Sequence, residues 1–126
     1  MANRVIHFEI QADDCERAVT FYANVFDWKF TKAENLPIDY YRIENSGPNG
    51  GLLKRPAQKP GQEQGTNAYV CSVMVDDFDA IAQKILDNGG IVALPKFAVP
   101  GKCWQGYFLD TEGNTFGIFE VDEDAK

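Results

Sequence analysis

Residues 5–10 read Val-Ile-His-Phe-Glu-Ile and are followed closely by the pair Asp13-Asp14. Apolar residues occupy the even positions of this stretch, and His7 and Glu9 stand between them. Because side chains alternate between the two faces of a β-strand, the stretch predicts a strand over 4–12 with one apolar face and one polar face. The protein's only histidine lies on the polar face.

A helix is predicted directly after that strand. Asp13 or Asp14 can cap its N-terminus, and apolar residues then recur every three or four positions. This buried stripe consists of Cys15, Ala18, Val19, Tyr22 and Phe26, widened by Phe21 and Val25. Short strands are predicted over 28–31, 39–44 and 51–54, so the local order is β-α-β-β-β.

The same order returns in the second half of the chain. Residues 69–75 read Tyr-Val-Cys-Ser-Val-Met-Val and precede a second pair, Asp76-Asp77; adding 63 to a residue number superposes the two halves, so that His7 falls on Val70. The second helix is predicted to bury Phe78, Ile81, Ala82, Ile85 and Leu86. Strands are predicted over 68–75, 91–94, 104–109 and 115–121. We therefore predict one α+β domain over 1–126, with module one at 4–54, a linker at 55–66 and module two at 67–121.

Composition excludes several classes of partner. The 126 residues carry a net charge of -7, with a pI of about 4.6. This charge disfavours nucleic acid, whose phosphates are neutralised by clustered Lys and Arg, and it disfavours an anionic membrane surface. No apolar run approaches the roughly 20 residues that span a bilayer, and the first residues pass straight into a strand rather than a signal peptide.

The three cysteines predict a reducing compartment. Cys15, Cys71 and Cys103 are odd in number and widely spaced, so they match neither a disulfide framework nor a zinc pattern. We expect three reduced thiols in a cytoplasmic protein, with Cys103 the most exposed and Cys71 in the core.

Each helix can cover only one face of its sheet. The apolar strand faces are expected to meet the helices. The opposite faces carry His7 and Glu9 in module one and Val70, Ser72 and Met74 in module two. These faces are expected to line a concave surface between the modules.

The chain resembles the vicinal oxygen chelate superfamily of glyoxalases, bleomycin-resistance proteins and extradiol dioxygenases. The stretches that carry the resemblance are VIHFEIQADDCERAVTFYANVFDW, GPNGGL, YVCSVMVDDFDAIAQKILDNGG and LDTEGNTFGIFE. The resemblance implies a glyoxalase-like fold, in which two βαβββ modules form a U-shaped cup or incomplete barrel. It also implies that the cup holds a small molecule and that the protein forms a homodimer.

Enzymes of that superfamily place divalent-metal ligands, His or Gln and Glu, at four positions. The resemblance sets these positions at His7, Gly51, Val70 and Gly117. Only His7 can donate to a metal, and a single histidine does not provide the three or four donors that Zn²⁺, Ni²⁺ or Fe²⁺ require. A partner chain would bring the same valine and glycine. We therefore expect no metal site and no cofactor.

His7 and Glu9 are the candidate catalytic residues. They lie two residues apart on one strand face, where they can form an acid–base pair at the cup floor. The alternative is a partly buried histidine, satisfied by a nearby group, that is a relic of a metal site.

The candidate ligand-binding residues are chosen for space, charge and aromatic surface. Gly51 and Gly117 are expected to leave room where a metal would lie, or alternatively to mark close strand contacts. Arg42 can hold an anionic ligand, the aromatic rings can stack on a planar one, and Ser72 can donate a hydrogen bond. The aromatic candidates are Tyr40, Trp104 and Tyr107. The alternative for all of these is ordinary sheet surface.

The function that these features favour is binding of a small organic molecule in the cup without the usual metal. One alternative is a glyoxalase-type lyase or isomerase, related to lactoylglutathione lyase, in which His7 and Glu9 move protons. Another is a protein-interaction module with a vestigial cup. The expected partners are a small-molecule ligand or substrate and a second copy of the chain, with no nucleic acid and no membrane.

Overall fold

The computed structural model describes residue 3, residues 5–59, residue 61 and residues 68–126. The chain divides into two compact units, Met1–Pro60 and Gly61–Lys126. Among the described residues, each unit contains one helix and four strands in the order β-α-β-β-β, so the predicted duplication and the α+β class are confirmed. The predicted linker over 55–66 lies partly outside the described residues, and its boundaries stay a prediction.

The first unit consists of β1 (His7–Ala12), α1 (Cys15–Phe26), β2 (Phe30–Lys32), β3 (Tyr40–Ile43) and β4 (Asn49–Lys54). The second unit consists of β5 (Ser72–Met74), α2 (Phe78–Asp87), β6 (Ile91–Val99), β7 (Cys103–Leu109) and β8 (Thr115–Val121). No helix in the described part of the chain is long and apolar enough to cross a membrane.

The two sheets have the same topology. The strand order is β1-β4-β3-β2 in the first sheet and β5-β8-β7-β6 in the second. In each sheet the first strand pairs in parallel with the last strand, and the other neighbours are antiparallel. This arrangement places the first and last strands of a module side by side, and therefore brings their side chains together on each face of the sheet.

The Asp-Asp pairs cap both helices, and in each pair the second aspartate is the cap. Asp14 accepts a hydrogen bond from the backbone N–H of Arg17, and Asp77 accepts one from Ala80. These bonds satisfy N–H groups that have no partner within the helix. The capping aspartates therefore fix the residue at which the chain leaves each first strand and begins the helix.

The core of each unit lies between its helix and one sheet face. Helix α1 buries Cys15, Ala18, Phe21, Tyr22 and Val25, as its spacing predicts. Helix α2 buries only Phe78 and Ile85, and Leu86 is exposed, which corrects the prediction for that residue. Each fully buried Phe, Val or Ile side chain among these contributes roughly 1.5–3 kcal/mol to folding.

Several strand boundaries differ from the prediction. Strand β1 begins at His7 rather than at residue 4, and Ile6 is exposed. Strand β4 begins at Asn49, earlier than the predicted Gly51, because Asn49 and Gly50 pair with His7 and Phe8. These pairings lie far apart in sequence, and local turn preference does not reveal them.

Strand β6 passes through Pro95 and continues to Val99, although it was predicted to end at Leu94. The proline lies in a register irregularity between Leu94 and Phe97 on an edge strand. A missing N–H group is tolerated at such a position because no ladder hydrogen bond is lost. The predicted end of this strand was therefore wrong.

The exposure of two cysteines is the reverse of the prediction. Cys71 precedes the short strand β5 and is exposed, whereas Cys103 is half-buried. None of the three cysteines forms a disulfide bond. Cys71 was expected in the core of a strand over 68–75, but β5 begins at Ser72, and the Cys71 carbonyl accepts a hydrogen bond from the N–H of Gly117 at the strand's start.

The turn between β7 and β8 is built on Asp110. Its Oδ1 atom accepts hydrogen bonds of 2.8 Å from the backbone N–H groups of both Glu112 and Asn114. Asp110 and Glu112 are both buried. This network fixes the predicted Asp-Thr-Glu-Gly-Asn turn and, with it, the register of β7 against β8.

Candidate functional site

Strand pleating places the candidate residues of the first unit on the sheet face opposite α1. Ala12 is buried, and Phe8 and Ile10 share its face of β1, whereas His7 and Glu9 are exposed on the other face. The register pairs Glu9 with Gly51 and Gly51 with Arg42, so these three share one row across β1, β4 and β3. We call the surface formed by His7, Glu9, Tyr40, Arg42 and Gly51 the His7 face.

Three side chains on the His7 face converge on one another. The hydroxyl of Tyr40 donates a hydrogen bond of 2.9 Å to Oε2 of Glu9. Nε2 of His7 lies 3.3 Å from the Tyr40 hydroxyl and 3.4 Å from the same Glu9 oxygen. The His7 and Glu9 side chains are 46% and 43% exposed, so a ligand in solution can reach both.

Tyr40 is held in its protonated form. Burial of the ring raises the pKa of Tyr40 above its ordinary value; the hydrogen bond to Glu9 and the charge of Glu9 raise it further, and Arg42 partly opposes them. The phenol therefore acts as a donor to Glu9 at neutral pH. The arrangement offers a carboxylate, an imidazole and a phenol within one hydrogen-bonded cluster.

Tyr40 also occupies the space above Gly51. A Cβ atom at Gly51 would overlap the Tyr40 hydroxyl and lie 2.5 Å from Cζ of the same ring. The glycine is therefore needed for a close side-chain approach, and the room that we expected it to leave for a ligand is filled by Tyr40. Ligand contact at Gly51 itself stays a prediction.

The second unit repeats this arrangement with different residues. Ser72 corresponds to Glu9 when 63 is added, and the register pairs Ser72 with Gly117 and Gly117 with Tyr107. Nε2 of Gln105 lies 3.3 Å from Oγ of Ser72. We call the surface formed by Ser72, Met74, Gln105, Tyr107 and Gly117 the Ser72 face.

The space above Gly117 is filled by neighbouring side chains, as is the space above Gly51. A Cβ atom at Gly117 would lie 2.5 Å from Oγ of Ser72 and 2.8 Å from Nε2 of Gln105. Gln105 on β7 thus occupies the position in the second sheet that Tyr40 on β3 occupies in the first. Gln105 was not among the predicted site residues, although it lies two residues from Tyr107 and period-two alternation puts both on one face.

Trp104 lies on the helix side of the second sheet, apart from the other candidates. It pairs with Glu120 and Ala98, and its indole N–H donates a 2.9 Å hydrogen bond to Asp122. The Lys96 ammonium lies 4.9 Å from the centroid of the Trp104 ring. The structure therefore places Trp104 and Tyr107 on opposite faces of the second sheet, because they lie an odd number of positions apart on one strand. Ligand contact at Trp104 stays a prediction.

Asp122 is stabilised in its charged form by these contacts. The backbone N–H of Asp124 lowers the pKa of Asp122, and the indole N–H of Trp104 lowers it further. The interaction of Trp104 with Asp122 and Lys96 is a structural link between β7, β6 and the chain after β8.

The residues do not fit the divalent metal that the resemblance implies. Gly51, Val70 and Gly117 lack donor atoms, and side chains fill the space above both glycines. Within the described ranges, no group of three or more His, Cys, Asp or Glu residues lies close enough to hold a metal ion. His7 and Glu9 provide two donors, fewer than the three or four of a stable site.

Comparison with known proteins identifies the family. A glyoxylase-like domain-containing protein of Didymella fabae is 31% identical over 121 residues, which cover 87% of this chain and 88% of that protein. The putative glyoxylase CFP32 of Mycobacterium bovis is 24% identical over 130 residues, and the match spans only 44% of its length.

A solved structure shows the same fold. The crystal structure of a glyoxalase/bleomycin resistance protein/dioxygenase family enzyme from Burkholderia phytofirmans PsJN superposes with a TM-score of 0.77 at 16% identity, covering 95% of this chain and 100% of that one. Residues 4–118 match the sequence pattern of one family. The chain therefore belongs to the Glyoxalase/Bleomycin resistance protein/Dioxygenase superfamily.

Proposed function

We propose that this protein binds a small organic molecule through the His7 face, without the divalent metal that is usual in its superfamily. The observation that carries the proposal is the cluster of His7, Glu9 and Tyr40, whose polar atoms lie 2.9–3.4 Å apart. It is half exposed and lies over Gly51, one of the expected metal-ligand positions. The cup between the modules, which the resemblance implies, stays a prediction.

The cluster favours a ligand with hydrogen-bonding groups. The Glu9 carboxylate has acceptor sites beyond the one that Tyr40 uses, so it can accept a hydrogen bond from a hydroxyl or amine group of the ligand. Arg42 lies on the same face, opposite Gly51 in the register, and is exposed. Its guanidinium group can pair with a carboxylate or phosphate on the same ligand.

An acid–base reaction is the second candidate. Glu9 can accept a proton from the ligand, because it lies on the exposed face with its carboxylate fixed by Tyr40. His7 lies within 3.4 Å of that carboxylate and can exchange the proton. This is the chemistry of a lyase or isomerase of glyoxalase type.

A homodimer and a cytoplasmic location belong to the same proposal. Three cysteines that form no disulfide bond support a reducing compartment, where thiols persist. The net charge of -7 supports a role away from nucleic acid and anionic membranes.

Thermal stabilisation by a panel of small organic acids, hydroxy acids and amino alcohols tests the proposal. The panel is measured in EDTA, with wild-type protein and with the variants Glu9→Gln and Tyr40→Phe. A ligand of the native state raises the melting temperature, and we expect the effect of at least one compound to fall in both variants. Glu34→Gln is the matched control, since it makes the same carboxylate-to-amide change at an exposed position.

Two results would contradict the proposal. One is stabilisation that disappears in EDTA and returns with a divalent metal. The other is a ligand whose effect is the same in Glu9→Gln, Tyr40→Phe and the control. Turnover that is lost in His7→Ala while affinity is retained would favour the acid–base reaction over simple binding.

A further inference from the structure

The Ser72 face contains two rows of paired residues across the four strands of the second sheet, with a register shift on β6 between Leu94 and Phe97. The register pairs Met74 with Phe119, Phe119 with Gln105, and Gln105 with Phe97. The neighbouring row runs through Ser72, Gly117, Tyr107 and Leu94. Met74 lies at one edge of the sheet and Leu94 and Phe97 lie at the other, whereas the polar groups of Ser72 and Gln105 meet over Gly117 on an inner strand.

No charged side chain shares this face among the residues of β5, β6, β7 and β8. The two charged residues of these strands, Lys96 and Glu120, contact the helix instead. The Lys96 ammonium lies 5.3 Å from the Phe78 ring centroid and 3.1 Å from Asp79, and Glu120 accepts a 2.7 Å hydrogen bond from the Phe78 N–H. The Ser72 face is thus uncharged, whereas the His7 face carries Glu9 and Arg42.

The apolar part of this surface is accessible. Met74, Leu94 and Phe97 are 68%, 48% and 37% exposed. The Phe97 and Tyr107 rings stack with centroids 6.4 Å apart, which gives a flat aromatic surface. A contiguous exposed apolar patch rimmed by polar residues marks a binding surface on soluble proteins.

The centre of the surface is polar and specific. Gln105 donates through Nε2 to Ser72, so the Ser72 hydroxyl proton and the Gln105 amide oxygen have no partner among the described residues. This pair can give one hydrogen bond and accept another. A few polar groups within an apolar surface are typical of small-molecule sites.

We propose that the Ser72 face binds an uncharged, largely apolar molecule, or such a portion of one, that carries a single hydrogen-bonding group. This inference rests on the proposed function and adds the class of ligand. A small molecule is favoured over a second copy of the chain, because burial of the Ser72–Gln105 pair against apolar protein would leave its groups unpaired, at a cost of roughly 1–3 kcal/mol each.

Two fluorescent probes that differ by one charged group test the inference. N-phenyl-1-naphthylamine is uncharged and has one N–H group, and 8-anilino-1-naphthalenesulfonate is its sulfonated, anionic counterpart. We expect the uncharged probe to bind, with Met74→Gln and Leu94→Gln each weakening it about fivefold through lost apolar contact. Leu86→Gln is the matched control, since Leu86 is an exposed leucine on α2, and it is expected to change affinity less than twofold.

The anionic probe measures selectivity for charge. Any binding of it is expected to be insensitive to Met74→Gln and Leu94→Gln. Equal losses in all three variants, or losses of the same size for both probes, would overturn the inference. Sedimentation showing that Met74→Gln and Leu94→Gln convert a dimer to a monomer, with no change in probe affinity, would assign the surface to a second copy and also overturn it.

The outcome is separable from that of the proposed function. Glu9→Gln and Tyr40→Phe change the His7 face only, so they are expected to leave affinity for N-phenyl-1-naphthylamine within twofold. A panel that yields no ligand dependent on Glu9 would contradict the proposed function, whatever the probes show. A probe that is insensitive to Met74 and Leu94 would contradict the inference alone.

Discussion

The Tyr40 side chain lies over the α-carbon of Gly51, in the space that a side chain at position 51 would occupy. From there its hydroxyl reaches Glu9 on the neighbouring strand at 2.9 Å. The close approach of the Tyr40 ring to Gly51 thus determines the position of the Glu9 carboxylate. A residue with a Cβ atom at position 51 cannot coexist with this arrangement.

We predict that Gly51→Ala destabilises the protein by about 1–3 kcal/mol, because the added methyl overlaps the Tyr40 hydroxyl and ring. In a Tyr40→Ala background the same change is expected to cost much less, since the obstacle is gone. Urea denaturation of the four proteins gives the coupling energy. Strictly additive effects would mean that the two residues do not touch.

Gly117→Ala provides the same test in the second unit. The added methyl would meet Ser72 and Gln105, so we expect destabilisation that Gln105→Ala relieves. The rescue is expected to be weaker than in the first unit, because a Cβ atom at position 117 would still lie 2.5 Å from Oγ of Ser72. Denaturant midpoints measure both effects, and full rescue would contradict the placement of Ser72.

The raised pKa of Tyr40 predicts a loss of stability in alkali. Its folded-state pKa lies above the ordinary value of 10.0, so its contribution is fully present below that pH and is lost as pH rises through the folded-state pKa. The difference in tyrosinate absorbance between wild type and Tyr40→Phe reports the titration. Glu9→Gln is expected to lower the pKa of Tyr40, since it removes the charge; an unchanged or higher pKa would contradict the hydrogen bond.

The lowered pKa of Asp122 predicts the opposite behaviour in acid. Its contribution to stability is present above the ordinary value of 3.8 and is lost as pH falls through the lower folded-state pKa. Trp104→Phe removes one of the two donors, so the pKa of Asp122 is expected to rise. NMR titration of the carboxyl carbon measures it, and an unchanged pKa would mean that Trp104 does not donate to Asp122.

Local sequence patterns predicted most of the fold. Alternation over residues 5–10 placed His7 and Glu9 on one face, and Asp14 and Asp77 cap the helices that the spacing predicts. The repeat placed Ser72 at the position of Glu9, which the pairing of each with a last-strand glycine matches. These features depend on residues close in sequence or on comparison of the two halves.

Most of the errors come from contacts that are distant in sequence. That Tyr40 fills the space at Gly51 follows from the register of β3 against β4, which no local pattern reveals. The same cause moved the start of β4 to Asn49 and left Cys71 exposed outside a short β5. Trp104 and Tyr107 were both predicted to contact the ligand, although residues three positions apart on a strand point to opposite faces of the sheet.

The central claim is that the His7 face binds its ligand without a metal. The most direct measurement is isothermal titration of the best compound from the panel into protein treated with EDTA, for wild type, Glu9→Gln and the control Glu34→Gln. We predict that EDTA leaves the wild-type affinity unchanged and that Glu9→Gln weakens it about tenfold, as expected for loss of a hydrogen bond to a charged group. Binding that vanishes in EDTA and is restored by Zn²⁺ or Ni²⁺ would contradict the account.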